Sequence, residues 1–488
     1  MSTRQDISVR YTQLIRVFFV VVMTSCIASQ SFADDIQKQL DEIRQRLEAV
    51  QHETEDMRGT LDDLKAENAD WLTTKRAEEI KQLVYDVLRD AESRKSLTGD
   101  GILGGWSDGF FLASSDGRFR LKIGGLIQER LLLNFQRVGI IDTTGPDDFD
   151  RWRGGLENTR TRLNISGHIF DKDTTFLVQA GWGWLDPNAI SDTPLLRIGS
   201  RLWDSWIKFK LNDQWSAKLG VFMLPFTRES LVSDQLQLAV DRSLMDYRLG
   251  LARSQGVQFT WAGDTTRVFL ATSNGSLPLQ GVSAAGQNPT PPWGALERDV
   301  DWAFTARAEW LVEGAWNQFK QFTSPVGSEN ATMIGFAVHA QHAERFGGGA
   351  KKRDQVGATA DVSIHLDGMT FFLSGTIHNQ KYLAVQVPNA DWVGYVAQGS
   401  AYMTDTTEAF LRFEGGGVRQ NQFGGDDLHI LTGGVNWYLD KQGLKVTSDF
   451  GWSFGEISNG LANQMVGWRA TTNRNAEWLF RTQLQLAF

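Results

Sequence analysis

The last eleven residues constrain the fold more than any other stretch of this chain. Every second position from Trp478 carries Trp478, Phe480, Thr482, Leu484, Leu486 and Phe488, and the positions between carry Leu479, Arg481, Gln483, Gln485 and Ala487. One face is apolar and aromatic and the other mostly polar, which is the pattern of a strand with lipid on one side and an aqueous lumen on the other. The edge strand of a soluble sandwich also alternates, but a soluble protein rarely leaves six such side chains at an exposed terminus. A transmembrane β-strand is the better account.

The opposite end carries an export signal. Arg4, Arg10 and Arg16 precede an apolar run from Val17 to Ile27, and Ser31-Phe32-Ala33 stands before Asp34-Asp35. A basic region, a short apolar core and a small-x-small cleavage site make residues 1–33 a secretory signal. The run is too short to span a bilayer, which takes roughly 20 residues. Cys26 as a lipidated cysteine is the alternative, though Met23-Thr24-Ser25 is a poor approach to one. Cleavage after Ala33 removes Arg4, Arg10, Arg16 and Asp6, a net +2, so the formal charge of −9 becomes −11. It also removes the single cysteine, which excludes a disulfide. The acidic total argues against a general nucleic-acid binder.

Beyond the signal no apolar run approaches helix-spanning length, so a helical membrane protein is excluded. A mean hydropathy of −0.29 is compatible with a barrel, where only alternate residues meet lipid. The 18 Trp, 29 Phe and 48 Gly suit interfacial aromatic belts and many tight turns. Ten Pro is sparse, as expected if most of the chain donates ladder hydrogen bonds.

Between signal and barrel the period changes. Ile36, Leu40, Ile43, Leu47, Val50, Thr54, Met57, Leu61, Leu64, Asn68 and Trp71 follow one another in alternating steps of four and three. That is a coiled-coil seam, with Asn68 at a position that fixes register. At about 1.5 Å per residue the rod would be roughly 50 Å long. A second amphipathic stretch holds Ile80, Leu83, Val84, Val87 and Leu88 before Gly99 and Gly101. Self-association is the expectation for residues 34–98; a helix folded back on its own chain is the alternative.

From Phe119 onward alternating segments recur between turn residues. Thr161, Leu163, Ile165 and Ile169 oppose Arg160, Arg162, Asn164, Ser166 and His168. Trp203, Ser205, Ile207, Phe209 and Leu211 oppose Asp204, Trp206, Lys208 and Lys210, and Trp302, Phe304, Ala306, Ala308 and Trp310 oppose Thr305, Arg307 and Glu309. Val356–Leu366 and Met369–Ile377 flank Asp367-Gly368, a tight-hairpin signal. At roughly 23 residues per strand with its loop, the chain from 118 holds about 16 antiparallel strands. The expected fold is therefore an all-β transmembrane barrel over 105–488, preceded by an α-helical coiled coil in the periplasm.

Three segments resemble the phosphate-selective porin O/P family of trimeric outer-membrane channels. RTRLNISGHIF (Arg160–Phe170) resembles its early arginine-bearing strand. KLGVFMLPFTRESLVSDQLQLAVDRS (Lys218–Ser243) resembles its strand ending in a Pro-Phe turn and the Arg/Ser-rich segment after it. GGVNWYLDKQGLKVTSDF (Gly433–Phe450) with the terminal FRTQLQLAF resembles its final strands. The resemblance covers most of 105–488 and implies a homotrimeric porin in outer-membrane lipid, inserted by the barrel-assembly machinery through Phe488. It also implies that Pro225–Ser243 turns inward, which nominates Arg228, Glu229, Asp241 and Arg242. The coiled-coil prefix is not part of the basic family pattern.

Fixed positive side chains in a low-dielectric pore favour anions, and Arg presents a fork to phosphate oxygens. Alternation makes Arg160, Arg162, Lys208, Lys210, Lys218 and Arg307 lumen candidates beside Arg228 and Arg242. Arg and Lys inside barrels also serve as paired, field-setting residues without solute preference, and Asp204, Glu309, Asp361 and Asp449 are expected to share the lumen. His339 and His342 fall on opposite faces of a strand with no third ligand in the sequence. Gly347-Gly348-Gly349-Ala350-Lys351-Lys352 lacks phosphate-loop spacing, and no nucleophile–base pair is evident. No cofactor, metal, catalytic residue or nucleic-acid partner is expected. The reading is a diffusion porin for small hydrophilic solutes, anions such as phosphate among them. The alternative is an anchor whose coiled coil links the barrel to the cell envelope.

Overall fold

The computed structural model describes residues 102–106, 109–136, 152–182, 201–276, 299–345, 353–382, 390–419, 427–457, 461–462, 466–469 and 476–488. The signal (1–33), the coiled coil (34–98) and the Gly347–Lys352 stretch lie outside them. The strands are β1 (Ile102–Trp106), β2 (Phe110–Ser114), β3 (Arg120–Gln136), β4 (Trp152–His168), β5 (Thr174–Trp182), β6 (Arg201–Lys210), β7 (Trp215–Met223), β8 (Arg253–Ala262) and β9 (Thr266–Ser273). After them come β10 (Asp299–Glu313), β11 (Ala331–Arg345), β12 (Arg353–Leu366), β13 (Met369–Tyr382), β14 (Ala390–Thr404), β15 (Thr407–Arg419), β16 (Leu428–Asp440), β17 (Leu444–Ser453) and β18 (Glu477–Ala487).

Each strand from β3 onward pairs antiparallel with the next, and β18 returns to β3 from Glu477 opposite Gln136 to Ala487 opposite Leu126. The ring is thus closed by sixteen strands, which leaves no sheet edge to be satisfied in lipid. The hairpin of β1 and β2 is attached to β3 by Phe110 opposite Ile123. No helix among the described residues is long and apolar enough to cross a membrane; the strands do the spanning.

Alternation decides which side chain faces where. In β11, Ile334, Phe336 and Val338 are exposed outward while Met333, Ala337, His339 and Gln341 are buried inward. In β18, Leu484 and Leu486 are exposed and Arg481, Gln483 and Gln485 are buried, as the terminal pattern requires. Aromatics collect at both ends of the outer wall. Phe135, Trp152 and Trp478 cluster at the long-loop end with centroids 4.9–5.2 Å apart, and Trp215, Trp310 and Trp437 are exposed near the short-turn end. Such belts sit at the two membrane–water boundaries.

Most turns at the short end are only a few residues long. At 367–368 Gly368 takes φ +66°, a left-handed conformation that a residue with a Cβ adopts at a cost, so Asp367-Gly368 closes the hairpin as expected. One face assignment differs. The β5–β6 register shifts between Val178 and Ala180, and this bulge turns Trp203 inward, where its ring lies 4.6 Å from both the Arg162 and Arg253 guanidinium carbons.

The principal hydrophobic core lies inside the ring. Leu238, Leu244, Met245 and Leu249, from the connection between β7 and β8, pack against inward-facing Phe372, Trp392, Val396, Phe410 and Ile430 of β13–β16. Phe322 enters from the connection between β10 and β11, and Trp468 from the one between β17 and β18. Burying each of these side chains stabilises by about 1.5–3 kcal/mol. One side of the lumen is therefore filled with protein.

Candidate functional site: the inward segment and the basic wall

Residues 224–252 leave the wall at Leu224-Pro225-Phe226, where the Phe226 N–H turns back to Leu224 O at 2.8 Å. Pro225 has no N–H to offer a ladder, so the strand ends there. Two short helices follow, α1 (Arg228–Leu231) and α2 (Leu244–Leu249). Ser243 caps α2 by accepting from the Asp246 N–H. Glu229 accepts from the Ser243 N–H at 2.9 Å and from its hydroxyl, while Asp246 accepts from Thr227 and Ser230. Burial, then the neighbouring Asp246, push the Glu229 carboxyl up to about 7.

The segment is bolted to both ends of the ring. Asp241 accepts from Arg130 of β3 at 2.5 Å, from Arg160 of β4 at 2.8 Å and from Arg481 of β18 at 3.4 Å. Arg481 also holds Asp449 of β17 at 2.7 Å. Asp234 binds Arg162, lies 3.0 Å from Arg242 and lies 3.7 Å from Arg160. Burial alone would raise the Asp234 carboxyl, but Arg242, Arg160 and Arg162 outweigh it and hold it well below the usual range. Arg412 donates to the Asp241 carbonyl and Lys445 to that of Gln237. On the far side Arg307 of β10 binds Asp361 of β12 at 2.7 and 3.0 Å, Glu309 at 2.9 Å and the Phe226 carbonyl at 2.8 Å. The guanidinium lies over Gly335, where a Cβ would meet it at 2.2 Å and Asp361 Oδ1 at 2.6 Å, so a side chain there would push this ion pair aside. Arg228 donates to the Phe319 carbonyl.

The wall opposite is different. Lys208 of β6 and Lys218 of β7 are cross-strand neighbours, and Arg267 of β9 stands opposite Glu309 of β10. Among the described residues none of these three forms an ion pair. Lys218 Nζ lies 5.2 Å from the Trp206 ring and 5.3 Å from Phe222, and Arg267 stacks over Trp316 at 3.9 Å. Asp204, on the same wall, is bound by Arg253 at 2.8 Å. The strip therefore presents three cations without a close ion pair among the described residues, Lys218 and Arg267 lying against aromatic rings.

The eight basic residues singled out from sequence thus separate. Lys208 and Lys218 stand on the unpaired strip. Arg160, Arg162, Arg228, Arg242 and Arg307 are buried in the network that fixes the segment. Lys210 lies at a strand end and pairs with Asp213 of the turn at 2.8 Å. Alternation did not nominate Arg130, Arg267, Arg412 or Arg481, although Arg481 stood on the polar face of the terminal strand. His339 and His342 face opposite sides of β11, as their spacing demands, with His339 buried inside and bonded to Thr305.

A closed ring of sixteen strands with an apolar, aromatic-belted exterior, a polar interior and a segment folded into its lumen defines an outer-membrane diffusion porin. The family model "Phosphate-selective porin O and P" matches residues 188–488, and the chain belongs to that family. The match begins later than the resemblance at 105–488 would have it, while the ring extends back to β3. The anion-selective porin from Comamonas acidovorans superposes with a TM-score of 0.50 at 14% identity, over 75% of this chain and 99% of that one. OmpT of Vibrio cholerae gives 0.48 at 10% identity over 80% and 100%. The channel DcaP of Acinetobacter baumannii gives 0.47 at 11% over 79% and 100%. No curated protein matches the chain.

Proposed function

We propose that this porin admits small hydrophilic anions, and that Lys208, Lys218 and Arg267 set the preference. The observation that carries the reading is the lack of an ion pair at these three side chains among the described residues, beside a network in which Arg130, Arg160, Arg162, Arg242, Arg307 and Arg481 are each paired with a carboxylate. Unpaired cations in a narrow aqueous path raise the local anion concentration, and phosphate oxygens are suitable acceptors for Lys and Arg. The family's phosphate selectivity and the anion selectivity of the Comamonas porin favour the same reading. The chain assembles as a homotrimer, residues 34–98 form a coiled coil on the periplasmic side, and Phe488 serves the barrel-assembly machinery. Phe488 exchanges both backbone hydrogen bonds with Gly125, at 2.7 and 3.1 Å.

The test is the reversal potential of purified protein in planar bilayers under a KCl gradient, followed by phosphate titration. Anion preference with block by phosphate supports the reading, and anion preference without block leaves a general anion porin. Cation preference refutes the role given to the strip. A folded barrel that never conducts would favour an envelope anchor instead.

A further inference from the structure

The outer face of β10–β12 carries a group of metal-ligand side chains that the channel does not use. His342 of β11 lies in register with Trp302 of β10 and Asp354 of β12. Its ring stacks on Trp302 with centroids 6.3 Å apart and planes 21° apart. Its Nδ1 lies 2.5 Å from Asp354 Oδ1, and its Nε2 lies 3.4 Å from Asp301 Oδ2. Glu344 is two residues along β11 on the same face. One ligand atom from each of Asp301, His342 and Glu344 lies within 4.8 Å of the others.

The backbone delivers Asp301 to this group. Regular alternation with outward Trp302 would point Asp301 into the barrel. The β10–β11 register instead slips between Val300 and Trp302, leaving Val300 opposite inward, buried Ala343 and Asp301 and Trp302 together on the outer face. A bulge is the standard device for re-aiming one side chain of a strand.

We propose that Asp301, His342 and Glu344 bind one divalent transition ion of the zinc class, with Asp354 orienting the imidazole. Zinc bonds to N and O of about 2.0–2.2 Å in a tetrahedron place neighbouring ligand atoms about 3.4 Å apart. The Nε2 to Oδ2 separation has that value. The Nδ1–H donated to Asp354 fixes the tautomer, which leaves the Nε2 lone pair on the side of Asp301 Oδ2; metal-bound histidines are held in this manner. One nitrogen and two oxygens suit zinc better than calcium or magnesium, which prefer six or more oxygen ligands or octahedral hydration. The ion would tie β10 to β11 at the long-loop rim, outside the lumen, so it is independent of solute passage.

Purified full-length protein is dialysed against zinc chloride and bound metal is counted per chain; cobalt loading provides a visible spectrum. The expected result is one zinc per chain for the wild type and none at this site for His342→Ala or Glu344→Gln. Asp354→Asn keeps all three ligands and should weaken binding ten- to a hundredfold. Cobalt should give ligand-field bands that His342→Ala removes. Heat-modifiable gel migration shows that each variant is a closed barrel, and conductance should be unchanged in all of them. No zinc uptake by the wild type, or uptake that His342→Ala leaves intact, overturns the site; it means that the His342 ring serves only to bond Asp354 and stack on Trp302. Calcium competing as well as zinc overturns the assignment to a transition ion.

Discussion

Lys218 and Asp241 are both charged, inward-facing residues, and their surroundings give them opposite tasks. Lys218 lies against Trp206 and Phe222 with no carboxylate partner among the described residues, so its charge remains available to a passing solute. A charge reversal about 7 Å from an ion in water changes its energy by about 1 kcal/mol, several-fold in occupancy. Lys208→Glu and Lys218→Glu should each lower the anion-to-cation permeability ratio several-fold, and the effect should fade as salt rises from 0.1 to 1 M. Reversal potentials at both salt concentrations check this. Arg162→Gln should shift the ratio far less, because Asp234 already neutralises that guanidinium. Asp241 has three guanidiniums around it, and its removal takes from each one of its two carboxylate partners. Breaking a buried pair costs about 3–5 kcal/mol, so Asp241→Ala should lower the thermal midpoint of the folded barrel well below that of Lys218→Ala.

The inward segment is an element without a periodic signature. Its helices have four and six residues, too short for a 3.6-residue pattern, and its apolar residues meet a wall whose own apolar residues point inward. That is why strand alternation, which assigned Arg160, Leu163, Phe304 and Leu484 to their faces, could not show that Phe372, Trp392 and Phe410 face protein inside the ring. The inward course of the chain after Pro225-Phe226 was legible only through the family resemblance, and the missing proline N–H is what ends the ladder there. The pairing of Asp241 with arginines more than a hundred residues away in either direction was not legible, since it depends on ring closure. Two consequences belong to this element. Leu244→Asp places a charge in the core that seats α2 and should free the segment, raising single-channel conductance and its noise while the gel-shifted barrel stays folded. Glu229 has a folded-state carboxyl raised from 4.5 to about 7, so the segment's stability is full below about pH 4.5 and declines as pH rises through 7. The wild-type melting midpoint should fall between pH 5 and 8, and Glu229→Gln should flatten that fall.

At the scale of the whole chain, the barrel accounts for its own closure without the first hundred residues, since every inward carboxylate that fixes the segment finds its partner between β3 and β18. Deletion of residues 34–98 should therefore leave a conducting pore of unchanged selectivity, measured in the same bilayers, while lowering the mass of the assembly in detergent by more than the deleted residues if the coiled coil holds protomers together. The ring of guanidiniums around Asp241 carries a further consequence, one of timing. Its members come from β3, β4 and β18, the first and last strands of the barrel, so the anchor is incomplete until β18 has zipped onto β3. The Asp241 anchor of the inward segment therefore waits on ring closure, whereas its seat on β13–β16 does not. A stalled, half-inserted sheet would hold the segment by its apolar face alone, and only the finished cylinder locks it from both sides.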